Sequence, residues 1–208
     1  MIYPTKEYDF YLSPINLDIS YKCTLQCHRC MRQSKGWNYK EHAKDLKEIS
    51  LKDYTKLLEI FPYIEFCGQI SDPIFHTKFH KILEMSKDIK LDIHTAASQR
   101  PIEWYKKSFR IKPDATWIFG IDGLPEESHI HRVNQDGKYL FKIMKLAVSM
   151  GINVEWQYII FKYNQYHVQE AFDLSKKEQM SFKLIESTRH KKDDYGKWPP
   201  SIPTTMPV

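Results

Sequence analysis

Three of the four cysteines, Cys23, Cys27 and Cys30, fall within eight residues at the spacing Cys-x3-Cys-x2-Cys. Cys27 and Cys30 are three apart, so a single helical turn puts both sulfurs on one side, and Cys23 can join them from the preceding loop. Thiolates converging on one point repel each other unless a metal takes up their charge, and clustered cysteine thiolates are the usual ligands of iron–sulfur clusters. The count of three is informative. A structural metal site is normally closed by four protein ligands, whereas a reactive one keeps a position free. The spacing therefore describes a site with an open corner. A zinc ion held by the same three cysteines and completed by a histidine such as His28 fits it as well.

The cysteines follow the stretch Ile15 to Ser20, which reads as a first strand. Five more strands are expected: Tyr63 to Cys67, Lys90 to Thr95, Thr116 to Ile121, Asn153 to Phe161, and Ser181 to Ile185. Helices alternate with them. Ser50 reads as an N-cap ahead of Leu51, Tyr54, Leu57, Leu58 and Phe61, and Pro62 stops that helix. A second helix carries Phe79, Ile82 and Leu83, and Pro101 suits the first turn of a third. A fourth runs from about Tyr139 to Met150 and closes on Gly151. Asn164 reads as the cap of a fifth, which holds Val168, Ala171, Phe172 and Leu174.

This βα rhythm implies right-handed crossovers and a parallel sheet. A closed eight-unit barrel takes ~250 residues, and the chain has 208. The expectation is an α/β fold, a single-domain partial (β/α)6 barrel with parallel strands over residues 15–190. Residues 1–14 form a lead-in and residues 191–208 a Pro-rich extended tail. A flat doubly wound sheet is the alternative. Trp117, Phe119 and Trp156 are expected to fill the barrel core.

Active sites of parallel βα barrels form at the C-terminal ends of the strands. The cysteines lie there after strand one, as do Asp72 after strand two, Thr95 to Ser98 after strand three, Asp122-Gly123 after strand four and Asn164 after strand five. Each is unremarkable alone; their agreement on one edge is the signal. Cys67 reads as a buried small hydrophobe, and His28, His94, His129 and His131 as surface or locally satisfied histidines. Arg132 could pair with a ligand carboxylate or with Glu126 or Glu127.

A strand followed by Cys23-x3-Cys27-x2-Cys30 resembles the signature of the radical S-adenosylmethionine (radical SAM) superfamily, and the likeness runs roughly from Ile15 to Ser187. Phe66-Cys67-Gly68-Gln69-Ile70-Ser71-Asp72-Pro73 is similar to the family's second-strand turn, with the second glycine absent and Asp72 where Glu is commoner. His94-Thr95-Ala96-Ala97-Ser98 stands where many members carry Thr-Asn-Gly-Ser. Ile121-Asp122-Gly123-Leu124 and His131-Arg132 resemble the elements after strand four. Trp156 to Asn164 resembles the fifth-strand segment of members that carry an auxiliary-cluster (SPASM) domain, although this chain has no cysteine after Cys67. Arg29 occupies a position that is often aromatic or small in the family.

The resemblance implies that Cys23, Cys27 and Cys30 hold a 4Fe–4S cluster whose fourth iron is chelated by S-adenosylmethionine. Asp72, Thr95, Ser98, Asp122, Arg132 and Asn164 would contact that cofactor. The implied activity is reductive cleavage to a 5′-deoxyadenosyl radical that abstracts hydrogen from a substrate, a peptide or protein being favoured. An electron donor such as flavodoxin or ferredoxin would be the partner. The reading from another class is a non-catalytic βα binding domain stabilised by zinc or a cluster.

Composition excludes little but is consistent. Net charge is +5, with 31 basic residues interspersed among 26 acidic ones, and carries no clear nucleic-acid signature. The basic-leaning stretch Lys35 to Lys47 reads as a solvated loop. Aromatic content of 14% is high beside a mean hydropathy of −0.55, enough to line a cavity as well as a core. No apolar run is long enough to span a bilayer, and the N-terminus lacks a signal-peptide pattern. A cytoplasmic location is expected, and there clustered thiols point to metal rather than to disulfides.

Overall fold

In the computed structural model, residues 13–28, 30–33 and 46–186 are described. Among these residues, six parallel strands form one sheet in sequential order: β1 (Ile15–Asn16), β2 (Tyr63–Phe66), β3 (Lys90–Thr95), β4 (Thr116–Gly120), β5 (Asn153–Ile160) and β6 (Ser181–Glu186). Sequential order is that of a winding barrel. A doubly wound sheet would reverse direction at a switch point, and none occurs. The sheet does not close, because β1 and β6 each pair on one side only. The partial barrel is thus the observed fold.

Five α-helices, among the described residues, cover the convex face: α1 (Leu51–Leu58), α2 (Phe79–Met85), α3 (Ile102–Ile111), α4 (Gly137–Ser149) and α5 (Val168–Lys177). Local chemistry sets their ends. Ser50 Oγ accepts from Asp53 N at 3.0 Å and starts α1. Pro101 stands immediately before α3, and Gly151 follows α4 at φ +78°, the left-handed closure expected of it. Asp136 caps α4 through Tyr139 N at 2.9 Å, so that helix begins two residues before the expected Tyr139. Asn164 makes no helix-capping bond, and α5 starts only at Val168. Its amide both donates, to Ile159 O (3.0 Å), and accepts, from Phe161 N (2.7 Å). Closing the turn after β5 uses both ends of the side chain, where a cap would use only one.

The first strand is shorter than Ile15 to Ser20. Leu17 N still reaches Glu65 O at 2.8 Å, but Asp18 turns away to accept from the loop after β2. The expected lead-in and Pro-rich tail lie largely or wholly outside the described residues.

Strand alternation separates two layers. Ile64, Phe66, Leu91, Ile93, Trp117, Phe119, Val154, Trp156, Tyr158 and Ile160 are buried and belong to one core cluster. Trp117 packs against Phe79 of α2 and against Tyr105 and Phe109 of α3, and Trp156 against Phe141 of α4. The large aromatics therefore fill the space between sheet and helices, not the barrel interior as expected. The intervening residues, among them Glu65, Asp92, His94, Glu155 and Gln157, are only partly buried. In an unclosed barrel the apolar mass must sit under the helices, which leaves polar side chains on the concave face alongside Ile118, Ile159 and Ile185.

Candidate active site

The cysteine loop is pinned on both flanks. On one, Asp72 N donates to Lys22 O at 2.9 Å. On the other, Gln26 N reaches Val133 O (3.0 Å) and His28 N reaches His131 O (3.1 Å), an antiparallel pairing with the segment after β4. Side chains reinforce that edge: Thr24 Oγ1 donates to Gln99 Oε1 (2.5 Å), Gln99 Nε2 to Asn134 O (2.8 Å) and Asn134 Nδ2 to Thr24 O (3.3 Å). Cys30 N closes a turn onto Cys27 O at 3.1 Å, and Arg32 Nη1 ties to Cys23 O at 2.8 Å. The thiols thus sit on a backbone fixed before any ligand arrives.

They open onto a cavity of about 420 Å³ at the C-terminal edge of the sheet, within the range of small-molecule sites. None of the four cysteines is in a disulfide. Burial, helped by the Asp72 carboxylate, pushes the Cys23 thiol up to about 12. Burial also raises Cys27, against the pull of Arg132. Thiolates are therefore costly here until a cation supplies the compensating charge, which is what a cluster does.

The zinc alternative demands closer packing. Tetrahedral Zn–S bonds of ~2.3 Å bring sulfurs within about 3.8 Å of each other. Among the described residues, the one trio of ligand atoms within 4.8 Å of one another is Glu65, Cys67 and His94, not the three motif cysteines. On charge, with three thiols on one cavity that need a compensating cation, the residues present fit the cluster.

Cys23, Cys27, Cys30, Asp72, Thr95 and Arg132 line the cavity; Ser98, Asp122 and Asn164 stand behind its wall. Asp72 is buried and accepts from Ala96 N (2.9 Å), Ala97 N (3.0 Å), Thr95 Oγ1 (3.0 Å) and Ile74 N (3.3 Å), locking the loop after β2 to the loop after β3. Asp72→Asn turns one acceptor into a donor facing donors, so it should cost about 1–3 kcal/mol in urea denaturation. Unchanged stability would show that the carboxylate is not the latch. Ser98 Oγ accepts from Asp136 N at 2.8 Å and holds the start of α4. Arg132 is half-buried, with Nε 2.8 Å from Asp122 Oδ2 and Nη2 donating to Asp122 Oδ1 at 3.2 Å. Glu127 instead serves Leu124 N and His167, and Glu126 faces Lys138. Arg29 lies outside the described residues.

Sequence reasoning missed several contributors. Asp18 accepts from Gln69 N (3.1 Å) and Ser71 Oγ (2.9 Å), setting the turn after β2. In that turn a Cβ on Gly68 would collide with the Ser71 carbonyl, so the glycine is there for space. Gln157, His94, Cys67 and His131 line the cavity, and His131 stacks on Phe161 with ring centres 4.3 Å apart. The available signal was alternation: Glu65/Cys67, Asp92/His94 and Glu155/Gln157 are polar or reactive at every second strand position.

No family model matches the sequence, and no curated protein is similar to it. Solved structures are. SuiB of Streptococcus suis matches over 90% of this chain and 42% of its own, with a TM-score of 0.68 at 15% identity. Native anSMEcpe with bound AdoMet matches over 82% of this chain and 51% of its own, with a TM-score of 0.60 at 16% identity. TYW1 with a lysine–pyruvate adduct bound gives a TM-score of 0.54 at 13% identity, over 86% of this chain and 67% of its own. At such identities the likeness is one of fold: the chain shares the partial-barrel fold of these proteins. It spans about half or less of the length of SuiB and anSMEcpe.

Proposed function

We propose that this chain is a radical SAM enzyme. Cys23, Cys27 and Cys30 would hold a 4Fe–4S cluster, and S-adenosylmethionine would occupy the cavity beside it. The observation that carries the reading is the position of the three-cysteine loop, pinned at the C-terminal end of β1 and facing an open cavity in this fold. When bound, the two groups supply a 5′-deoxyadenosyl radical able to take hydrogen from an unactivated carbon.

The chain's own residues do the rest. Thr95 and the backbone after β2 and β3 shape the wall for the cofactor's polar groups, with Asp72 fixing that wall. Arg132 brings positive charge beside Cys27 and is oriented by Asp122. Ser98 and Asn164 act from behind, by fixing the loops after β3 and β5. Apolar Ile118, Ile159, Phe161 and Ile185 on the lining limit access of water to the reacting carbon.

A peptide or protein is the favoured substrate. SuiB has been seen bound to the precursor peptide SuiA, and anSMEcpe to the Cp18Cys peptide. The unclosed sheet leaves a lateral opening that an extended chain could enter. An electron donor of the flavodoxin or ferredoxin type and a reducing, cytoplasmic location follow from the same reading. No helix among the described residues is long and apolar enough to cross a membrane.

Anaerobic reconstitution with iron and sulfide should give a brown protein with about four irons per chain. With S-adenosylmethionine and a strong reductant it should release 5′-deoxyadenosine. A colourless protein, or a brown one that releases none, would overturn the proposal.

A further inference from the structure

We propose that Glu65, Cys67 and His94 form a second metal site, for a borderline divalent ion such as Zn2+, on the concave face of β2 and β3. Glu65 and Cys67 are two apart, at and just past the end of β2, so both side chains point into the barrel. His94 occupies the matching place on the adjacent strand, where Glu65 pairs with Asp92 in register. A carboxylate oxygen, the thiol sulfur and an imidazole nitrogen of the three lie within 4.8 Å of one another. Tetrahedral zinc with bonds of ~2.0–2.3 Å needs ligand atoms about 3.3–3.8 Å apart, which small rotamer changes supply. One thiolate, one imidazole and one carboxylate make a donor set that favours zinc over calcium or magnesium.

The surroundings independently favour a cation. Asp92 Oδ1 and Glu155 Oε1 are buried and accept no hydrogen bond among the described residues. Lys183 Nζ stands 3.9 Å from Glu155 and also acts on Glu65, while Lys90 Nζ lies 4.0 Å over the Tyr63 ring; no ion pair to Asp92 is seen among the described residues. Tyr63 donates to Asp92 Oδ2 at 2.5 Å and brings no charge. His94 and Glu65 are hydrogen-bonded to each other, so two of the three ligand groups already meet. Three protein ligands leave a fourth position, and it faces the cavity because Cys67 and His94 are on the lining. That position would take a water or a thiolate, imidazole or carboxylate of the substrate. The site opens onto the same cavity as the motif cysteines but uses none of them, and it does not depend on the radical reading.

The test is an anaerobic Co2+ titration of the chain with its cluster reconstituted, so that the motif thiols are occupied. One further equivalent should bind, with thiolate-to-cobalt charge transfer and tetrahedral ligand-field bands, and Zn2+ should displace it. Cys67→Ser should remove the charge-transfer band. Both Cys67→Ser and His94→Ala should weaken Co2+ binding by more than about a hundredfold, since loss of even an outer partner costs 10–100-fold. A chain with Cys23, Cys27 and Cys30 all changed to Ala should keep the band, even if its cluster and any 5′-deoxyadenosine release are gone. Absence of the band in the parent protein would overturn the site, as would a band that survives Cys67→Ser. If a variant is misfolded by circular dichroism, the parent and triple-alanine titrations still decide.

Discussion

Cys30→Ala is expected to lose the cluster and, with it, release of 5′-deoxyadenosine, by more than about a hundredfold, since even outer partners of a metal are worth 10–100-fold. Of the three motif cysteines this is the informative one to remove. Cys23 and Cys27 pack against the hydrophobic core, and Cys30 does not. Truncating either of the first two would remove a ligand and disturb packing together, so lost activity could come from either cause. At Cys30 the change touches the backbone turn onto Cys27 only through its side chain, and thermal stability of the metal-free protein should stay within a few degrees of the parent. Iron and sulfide content, measured after reconstitution, should fall to background. A Cys30→Ala chain that retained a full complement of iron would remove the open-corner site. Cys67→Ala should leave the cluster's visible absorption in place, because Cys67 lies with Glu65 and His94 and not with the motif.

The parts legible in the sequence were those encoded locally. The cysteine spacing, the βα rhythm, Ser50 as a cap and Gly151 as a closure all depend on residues a few positions apart, and the structure repeats them. What the sequence hid were polar side chains that work over long separations. Asp18 and Ser71 are 53 apart, and Asp72 and Ala97 are 25 apart; each carboxylate had a nearer plausible role, as a strand end or as a cofactor acceptor. Asn164 precedes a helix and so reads as a cap, yet its donor is used on Ile159 of β5 and its acceptor on Phe161 just after it. The aromatic strands misled in a different way. A tryptophan in a barrel strand can face in or out, and only the alternating Asn153, Glu155 and Gln157 beside Trp156 say which. Once those polar positions line a concave face, the tryptophan must lie under the helices.

The pair of buried Asp122 and half-buried Arg132 carries the second large effect. Arg132 lies over Gly120, where an added Cβ would sit 2.7 Å from Nη2, so the glycine at the end of β4 makes the space for the guanidinium. Asp122, fully buried, also accepts from Ile159 N at 3.0 Å and so bonds to β5. Burial pushes its carboxyl up while Arg132 opposes that, and Arg132 is in turn raised by Asp122 and held protonated. Asp122→Asn would leave a largely buried cation without its partner, for which destabilisation towards the low end of about 3–5 kcal/mol is expected, read by urea or thermal unfolding of the metal-free chain. Gly120→Ala should cost a comparable amount by expelling the guanidinium. In an Asp122→Ala/Arg132→Met double variant the loss should be smaller than the two single losses added together, as a directly interacting pair requires. Strict additivity would deny the coupling. The consequence for the site follows from connectivity. Arg132 belongs to the segment that pairs with the cysteine loop through Val133 and His131, so the folded fraction of Asp122→Asn should also retain less iron than the parent at equal protein. A variant that unfolds more easily yet binds iron in full would confine the pair to stability and leave the cysteine loop fixed by its other flank, at Lys22 and Asp72.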